Sequence, residues 1–478
     1  MLKQVLLFGV LSVVLVPTMG WGQDLCPKSA ASNKLICLIP QAFGPSQTLD
    51  VSNLKNNNQF SLGALSQSLR SLNSAIGRAS SLLPLASPSS GITFSWDPAG
   101  KIFSPSTDSL GPILGERADT IGKYRVFIGF GYQHFEFERV DGIKMNQLPM
   151  TITQPDDSTD VSDRVCSING DNETECGFIR DVVKTNTRLD LKIHQFTTFL
   201  TFGLTNRLDI SVAIPIENIR MASSSTATIV DNAQSGVYSF PFVKGCGSVQ
   251  GGVTTPCLVN SFSNVRSVSG IGDITLRVKG TAWKGERAGL ALGLDIRTPT
   301  GDALNFLGAG ATGVKPFVVW SYRARISPHV SVGYETNGSS LIAGDISTSQ
   351  KVKLPGQLTY SAGADFWVTK WLTTDFDLVG HQVFEADRTS LITIAEPGAC
   401  LDPLGNCDPL QGFAPPKIDP SLTPAAKTYN SSSVSVGVKV RPFGSGNSLV
   451  VTGNALIAIN NGGLRSKVVP LLGVSYTF

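Results

Sequence analysis

The chain has 478 residues, 41% of them hydrophobic and 16% charged, with 48 glycines, 27 prolines and a formal net charge of +3. Soluble domains run at roughly 25% charged, and the near-balance of 39 basic and 36 acidic residues excludes the concentrated basic face of a nucleic-acid binder. After residue 20 no run approaches the roughly 18 apolar residues of a membrane-spanning helix.

Residues 1–22 read as a secretory signal peptide. Lys3 gives a positive start, Val5 to Val16 an apolar core too short to span, and Gly20 and Gly22 the small residues of a cleavage site. The chain is thus expected to be exported. Its eight cysteines fall into four local pairs: Cys26 and Cys37, Cys166 and Cys176, Cys246 and Cys257, Cys400 and Cys407. Each pair sits within one polar, turn-rich segment. In an oxidising compartment four loop-closing disulfides are the expected reading. Metal sites would want repeated Cys-x-x-Cys spacing or nearby histidines, which are absent, and no metal or cofactor is expected.

Residues 23–120 form an N-terminal segment of their own. Leu62, Leu65, Leu69, Leu72, Ile76 and Leu83 recur at helical spacing and predict an amphipathic helix near 61–82. Residues 84–120 are rich in proline, serine and glycine and carry no strong period. The apolar stripe of the helix must be covered, which leaves a plug inside the rest of the chain, a periplasmic arm, or packing against partner copies.

From 121 to 478 the period is two, the mark of strands with unlike faces. In 208–214 aliphatic residues alternate with polar or small ones, as they do at Leu276 and Val278, at Leu290, Leu292 and Leu294, and at Val434, Val436 and Val438. Twelve strands are expected near 122–139, 185–203, 207–221, 267–283, 287–299, 313–326, 329–343, 351–369, 371–386, 428–443, 447–460 and 465–478. Most are far longer than the usual five to six residues. Their connections alternate between tight turns and long polar insertions near 140–184, 222–266 and 387–427, as outer-membrane barrels alternate periplasmic turns with extracellular loops. The three downstream cysteine pairs all fall on the long-loop side.

The expected fold is therefore all-β: a transmembrane, antiparallel, up-and-down barrel of about twelve strands with a partly helical N-terminal segment. It belongs in the outer membrane of a Gram-negative-type bacterium, with membrane lipid as its surroundings. Tyr124, Trp283, Trp367, Trp371 and Tyr476 gather at one rim, as an interfacial girdle does, whereas Trp320 lies deeper. The final strand ends on Phe478 and resembles the C-terminal strand that the barrel-assembly machinery recognises. If the aliphatic face meets lipid, the lumen is lined by Arg188, Asp190, Lys192, His194, Arg207, Asp209, Asp273, Arg277, Lys279, Asp295, Arg297, Arg323, Arg325, Glu335, Asp365, Asp375, Asp377, His381, Lys439 and Arg441. A lattice of ion pairs across the strands and a polar solute track are both open readings of that set.

Several segments resemble an outer-membrane barrel family of transporters named for the MetA pathway of phenol degradation. They are Phe202-Gly203-Leu204-Thr205-Asn206-Arg207-Leu208-Asp209-Ile210-Ser211-Val212-Ala213-Ile214-Pro215, Ser269-Gly270-Ile271-Gly272-Asp273-Ile274, Asp295-Ile296-Arg297-Thr298-Pro299-Thr300-Gly301-Asp302, the strand around Val332-Gly333-Tyr334-Glu335, and the closing Tyr476-Thr477-Phe478. The resemblance implies a channel or passive transporter for small solutes, hydrophobic or aromatic ones among them. The competing expectation is a structural or adhesive barrel whose long loops bind partners. Catalysis is not expected: none of the four histidines stands in a recognisable nucleophile motif.

Overall fold

In the computed structural model the period-two segments pair antiparallel in chain order, and the last returns to the first. The structure describes residues 26, 33–43, 62–80, 83–84, 94–97, 102–105, 109–153, 164–168, 174–178, 181–231, 249–250, 253–254, 257–345, 349–395, 418–444 and 448–478. The staves are β1 (Val126–Val140), β2 (Asp181–Thr205), β3 (Leu208–Asp231), β4 (Val259–Ile271 and Thr275–Lys284), β5 (Ala288–Arg297) and β6 (Gly313–Tyr322). They continue as β7 (Ile326–Asn337), β8 (Gln357–Thr369), β9 (Leu372–Ala395), β10 (Ile418–Val440), β11 (Val450–Ala458) and β12 (Val468–Thr477). Twelve strands close through the β12–β1 pairing, so no edge of the barrel is left to recruit another strand.

Outside, the membrane-facing positions carry Phe130, Leu200, Ile210, Leu276, Leu292, Val332 and Val436, all well exposed. In water such a surface would be a large aggregation liability; around a closed barrel it is the lipid-facing band of an outer-membrane protein. Trp283, Trp371 and Tyr476 are exposed near the short-turn end.

The long staves depart from the expected boundaries. β2 has 25 residues, about 80 Å at roughly 3.3 Å per residue, against an apolar band of about 25 Å. The surplus extends past the bilayer at the long-loop end. β4 is interrupted at 272–274, which stand opposite only 214–215 of β3, so one extra residue bulges there. The expected strands 329–343 and 351–369 each divide. Their ends, Ser339–Asp345 and Gln350–Lys353, form a separate hairpin.

The helix, α1 (Leu62–Ser80), lies against the extended parts of β9 and β10. Leu69, Leu72 and Ile76 are buried in one core with Leu35, Ile36 and Phe43 of the preceding segment and with Leu189, Leu191 and Ile193 of β2. Fully burying one such side chain contributes about 1.5–3 kcal/mol. Its polar face is covered too. Ser68 Oγ donates to Leu422 O at 2.9 Å, Ser71 Oγ to Arg388 O at 2.5 Å, and Asn73 Nδ2 to Ile36 O at 2.9 Å.

Cys26 and Cys37 form a disulfide. Cys166 and Cys176 are cross-strand partners in a small hairpin, and Cys257 is disulfide-bonded. Cys246, Cys400 and Cys407, the signal peptide of 1–22, and parts of the three long insertions lie outside the described residues.

Candidate functional site

Residues 109–121, which have no period in the sequence, cross the short-turn end of the lumen as an irregular, bent strap. Such a segment inside a barrel has backbone groups that must find partners, and the inward charges supply them. Ile113 N–H donates to Asp375 Oδ2 at 3.3 Å and Gly115 N–H to Asp377 Oδ2 at 2.8 Å. Ile121 N–H donates to Asp209 Oδ2 at 2.9 Å. In the other sense, Lys439 Nζ donates to Pro112 O at 2.6 Å and Lys279 Nζ to Arg117 O at 3.0 Å. Asp375 and Asp377 are two apart on β9, and so are the two strap amides they hold.

Side chains of the strap complete the clasp. Arg117 pairs with Asp365, Glu116 with Arg277, and Asp119 with Arg323 at 2.6 Å. Beyond the strap, Tyr124 N–H donates to Gly203 O at 2.7 Å and Gly203 N–H to Arg125 O at 2.9 Å. A Cβ on Gly203 would stand 1.8 Å from the backbone oxygen of Gly122. Gly203→Ala is therefore expected to unseat this end of the strap at about 1–3 kcal/mol. Faster tryptic cleavage after Arg117, which is buried in the wild type, would register it.

The structure sorts the expected lumen residues into three groups. Asp209, Asp273, Arg277, Lys279, Asp295, Arg297, Glu335, Asp365, Asp375, Asp377, His381 and Lys439 lie on inward positions of their staves, and Arg441 is buried just after β10. Most of them are engaged with the strap or with one another. Arg297 bridges Asp273 and Glu335, each at 2.9 Å, and Arg277 holds Asp295 at 2.6 Å. Arg207 and Arg325 are exposed in short turns instead, and Arg323 reaches back from its turn to Asp119.

Arg188, Asp190, Lys192 and His194 are the third group, and they correct the sequence reading. On β2 the odd residues Leu189, Leu191, Ile193, Gln195 and Phe199 are buried inside, and the even ones face out. Lys192 pairs with Glu136 on the outer surface, and His194 stacks on His134. Above the bilayer the rule reverses: the outside meets water, and the inside meets the apolar α1 segment. One face of β2 thus runs from Arg188 and Lys192 to lipid-facing Leu200 and Phe202 without changing side.

His329, Asp375 and Asp377 bring ligand atoms within 4.8 Å of one another and are the group of described residues that could hold a metal ion. Asp377 already accepts from Gly115 N–H and lies 2.6 Å from His329 Nε2. The trio works as part of the strap clasp.

Between the strap and α1 lies a cavity of about 350 Å³. Leu114 and Glu116 of the strap line it, as do Ala79, Leu83 and Pro84 at and beyond the end of α1. One part of its wall is apolar, with Phe135, Phe137, Phe199, Leu456 and Val469; another is polar, with Gln195, Glu217, Arg297, Glu335, Gln357 and Arg465. Phe135 and Phe137 stack with centroids 5.8 Å apart. Pockets that take small molecules are typically about 300–1,000 Å³, mostly apolar, with a few placed polar groups. The sequence reading missed Gln195 and the three phenylalanines because it noted only charged members of the inward face, and it passed over Glu217, which shares the odd-numbered inward face of Asp209.

Three solved structures are similar to the chain in part. An outer membrane channel from Pseudomonas putida F1 is 10% identical, covering 76% of this chain and 98% of its own, with a TM-score of 0.40. A Pseudomonas aeruginosa FadL homologue is 11% identical over 75% of this chain and 90% of its own, with a TM-score of 0.28. The translocator domain of the autotransporter NalP from Neisseria meningitidis is 8% identical over 75% and 89%, with a TM-score of 0.29. No curated protein sequence matches the chain. Residues 182–391 match the family described as "Putative MetA-pathway of phenol degradation", a stretch from β2 into β9 that takes in the four internal segments on which the sequence resemblance rests.

Proposed function

We propose that this barrel is a passive conduit for small solutes with apolar or aromatic bodies, held nearly closed at rest by the strap and by the α1 segment. The two-sided cavity between them carries the reading. A wide water-filled pore would have no use for a phenylalanine wall, and a purely structural barrel no use for a space of about 350 Å³. The strap's clasp is polar and reversible, so its release opens the short-turn end without unfolding a stave. The exposed Phe478, whose N–H donates to Val126 O at 2.8 Å, supports a role for the terminal strand in assembly.

Planar bilayers test the conduit. The purified chain is expected to conduct weakly, and a form lacking residues 24–121 is expected to conduct severalfold more. Toluene or 4-methylphenol should enter liposomes faster with the protein than without it. No conductance and no entry in either form would overturn the proposal.

A further inference from the structure

The short-turn end of the barrel is strongly basic. Arg207 lies between β2 and β3, Arg287 between β4 and β5, Arg325 between β6 and β7, and Lys370 between β8 and β9. Lys284 ends β4 and Lys123 precedes β1. Glu286 is the one acidic residue in these turns. The whole chain carries only +3, so the rest of the molecule offsets this excess. All of these cations are exposed. The side chains of Arg207, Lys284, Arg287, Arg325 and Lys370 have no ion-pair partner among the described residues. Arg323 shows the alternative, turning inward to Asp119 at 2.6 Å.

The cations sit at a defined depth. Lys123, Lys284 and Lys370 are next in sequence to exposed Tyr124, Trp283 and Trp371. The Lys123 ammonium stands 4.7 Å from the centroid of the Tyr124 ring. Tryptophan and tyrosine settle at the membrane–water interface. A lysine beside such an aromatic is thereby held at headgroup level, where its long stem lets the ammonium seek the polar layer. Neighbouring short turns are two strand spacings apart, about 10 Å. That is the scale of a lipid headgroup rather than of one pocket with converging donors.

We infer that this rim binds the anionic phospholipid headgroups of the leaflet it touches, with the cations holding phosphates around the barrel. The short-turn end of an outer-membrane barrel faces the periplasm, so that leaflet is the inner one. Cations distributed from turn to turn, continuous with the lipid-facing band, suit an annulus of lipid better than a protein docked at one place. The inference does not depend on the conduit reading.

The test places the purified full chain in phosphatidylcholine vesicles and adds brominated phosphatidylglycerol or brominated phosphatidylethanolamine. Quenching of tryptophan fluorescence reads the lipid beside the rim, because Trp283 and Trp371 are exposed there. The anionic lipid is expected to be preferred at least about threefold at low salt, since each lysine or arginine near the surface attracts it. In about 0.5 M salt the preference is expected to fall below about 1.5-fold, because exposed charges are screened. Replacing Arg207, Lys284, Arg287, Arg325 and Lys370 together by glutamine is expected to have the same effect without moving the unfolding midpoint. Should that variant fail to insert, Lys284→Gln with Lys370→Gln, beside the reporting tryptophans, is expected to lose at least about half of the preference. No preference in the wild type would overturn lipid recognition and leave the cations to a soluble acidic partner. A preference that survives high salt and the glutamine variants would overturn the role of these residues. Loss of the preference in inorganic phosphate, but not in chloride of equal ionic strength, would assign the rim to a free anion and overturn it too.

Discussion

Arg117→Ala is expected to free the strap from the barrel floor, raising conductance severalfold and lowering resistance to urea by about 3–5 kcal/mol. The Arg117 side chain is 4% exposed and that of its partner Asp365 0%. Asp365 also accepts from Ser109 Oγ, so the pair ties two points of the strap to β8. Removing the guanidinium leaves a buried carboxylate without its closest cation, which is the costly way to break a buried pair. Replacing both partners, as Arg117→Leu with Asp365→Leu, removes the stranded charge along with the attraction. The double variant is therefore expected to recover part of the lost stability and to keep the higher conductance. A double variant less stable than the sum of the singles would show that Arg117 and Asp365 do not stabilise the strap as a pair.

Arg297→Met has an effect of similar size at the other end of the cavity. The guanidinium is 11% exposed and joins Asp273 of the β4 bulge to Glu335 and Asn337 of β7. Asp273 in turn accepts from Gly301 N–H at 3.0 Å and Ala309 N–H at 2.7 Å, which folds the segment between β5 and β6 against the bulge. Methionine retains most of the volume but leaves two carboxylates buried without their cation. A loss of about 3–5 kcal/mol is expected, with faster proteolysis within 298–312. Lys192→Met serves as the contrast. Its pair with Glu136 is on the outer surface, with side chains 33% and 56% exposed, and the unfolding midpoint should not move.

Much of the fold was legible because the bilayer imposes one rule on every stave at one height. Leu276 and Val278 face out for the same reason as Val436 and Val438, and the tight turns at 284–287 and 369–371 follow from antiparallel neighbours. The inner floor could be listed but not interpreted. Asp209, Asp375, Asp377, Lys279 and Lys439 were visible as inward charges, yet their partners are backbone groups of residues 110–121. A strap satisfied by single side chains from many strands has no periodicity of its own to betray it. The cavity was less legible still, because Gln195 and Glu217 come from two staves and the phenylalanine arc from two.

The charge-poor, glycine-rich composition and the period-two alternation determined by themselves that this chain crosses a membrane as strands, how many, and in what order. They could not determine which face of a strand turns inward once the strand leaves the lipid. Alternation records only that two faces differ. Whether Arg188, Asp190, Lys192 and His194 look out or in depends on what fills the barrel at their height. There the N-terminal core of Leu35, Ile36 and Leu72 makes the inside the apolar side. Only the tertiary structure could decide that, because the segment that fills the upper barrel lies more than a hundred residues away in the chain.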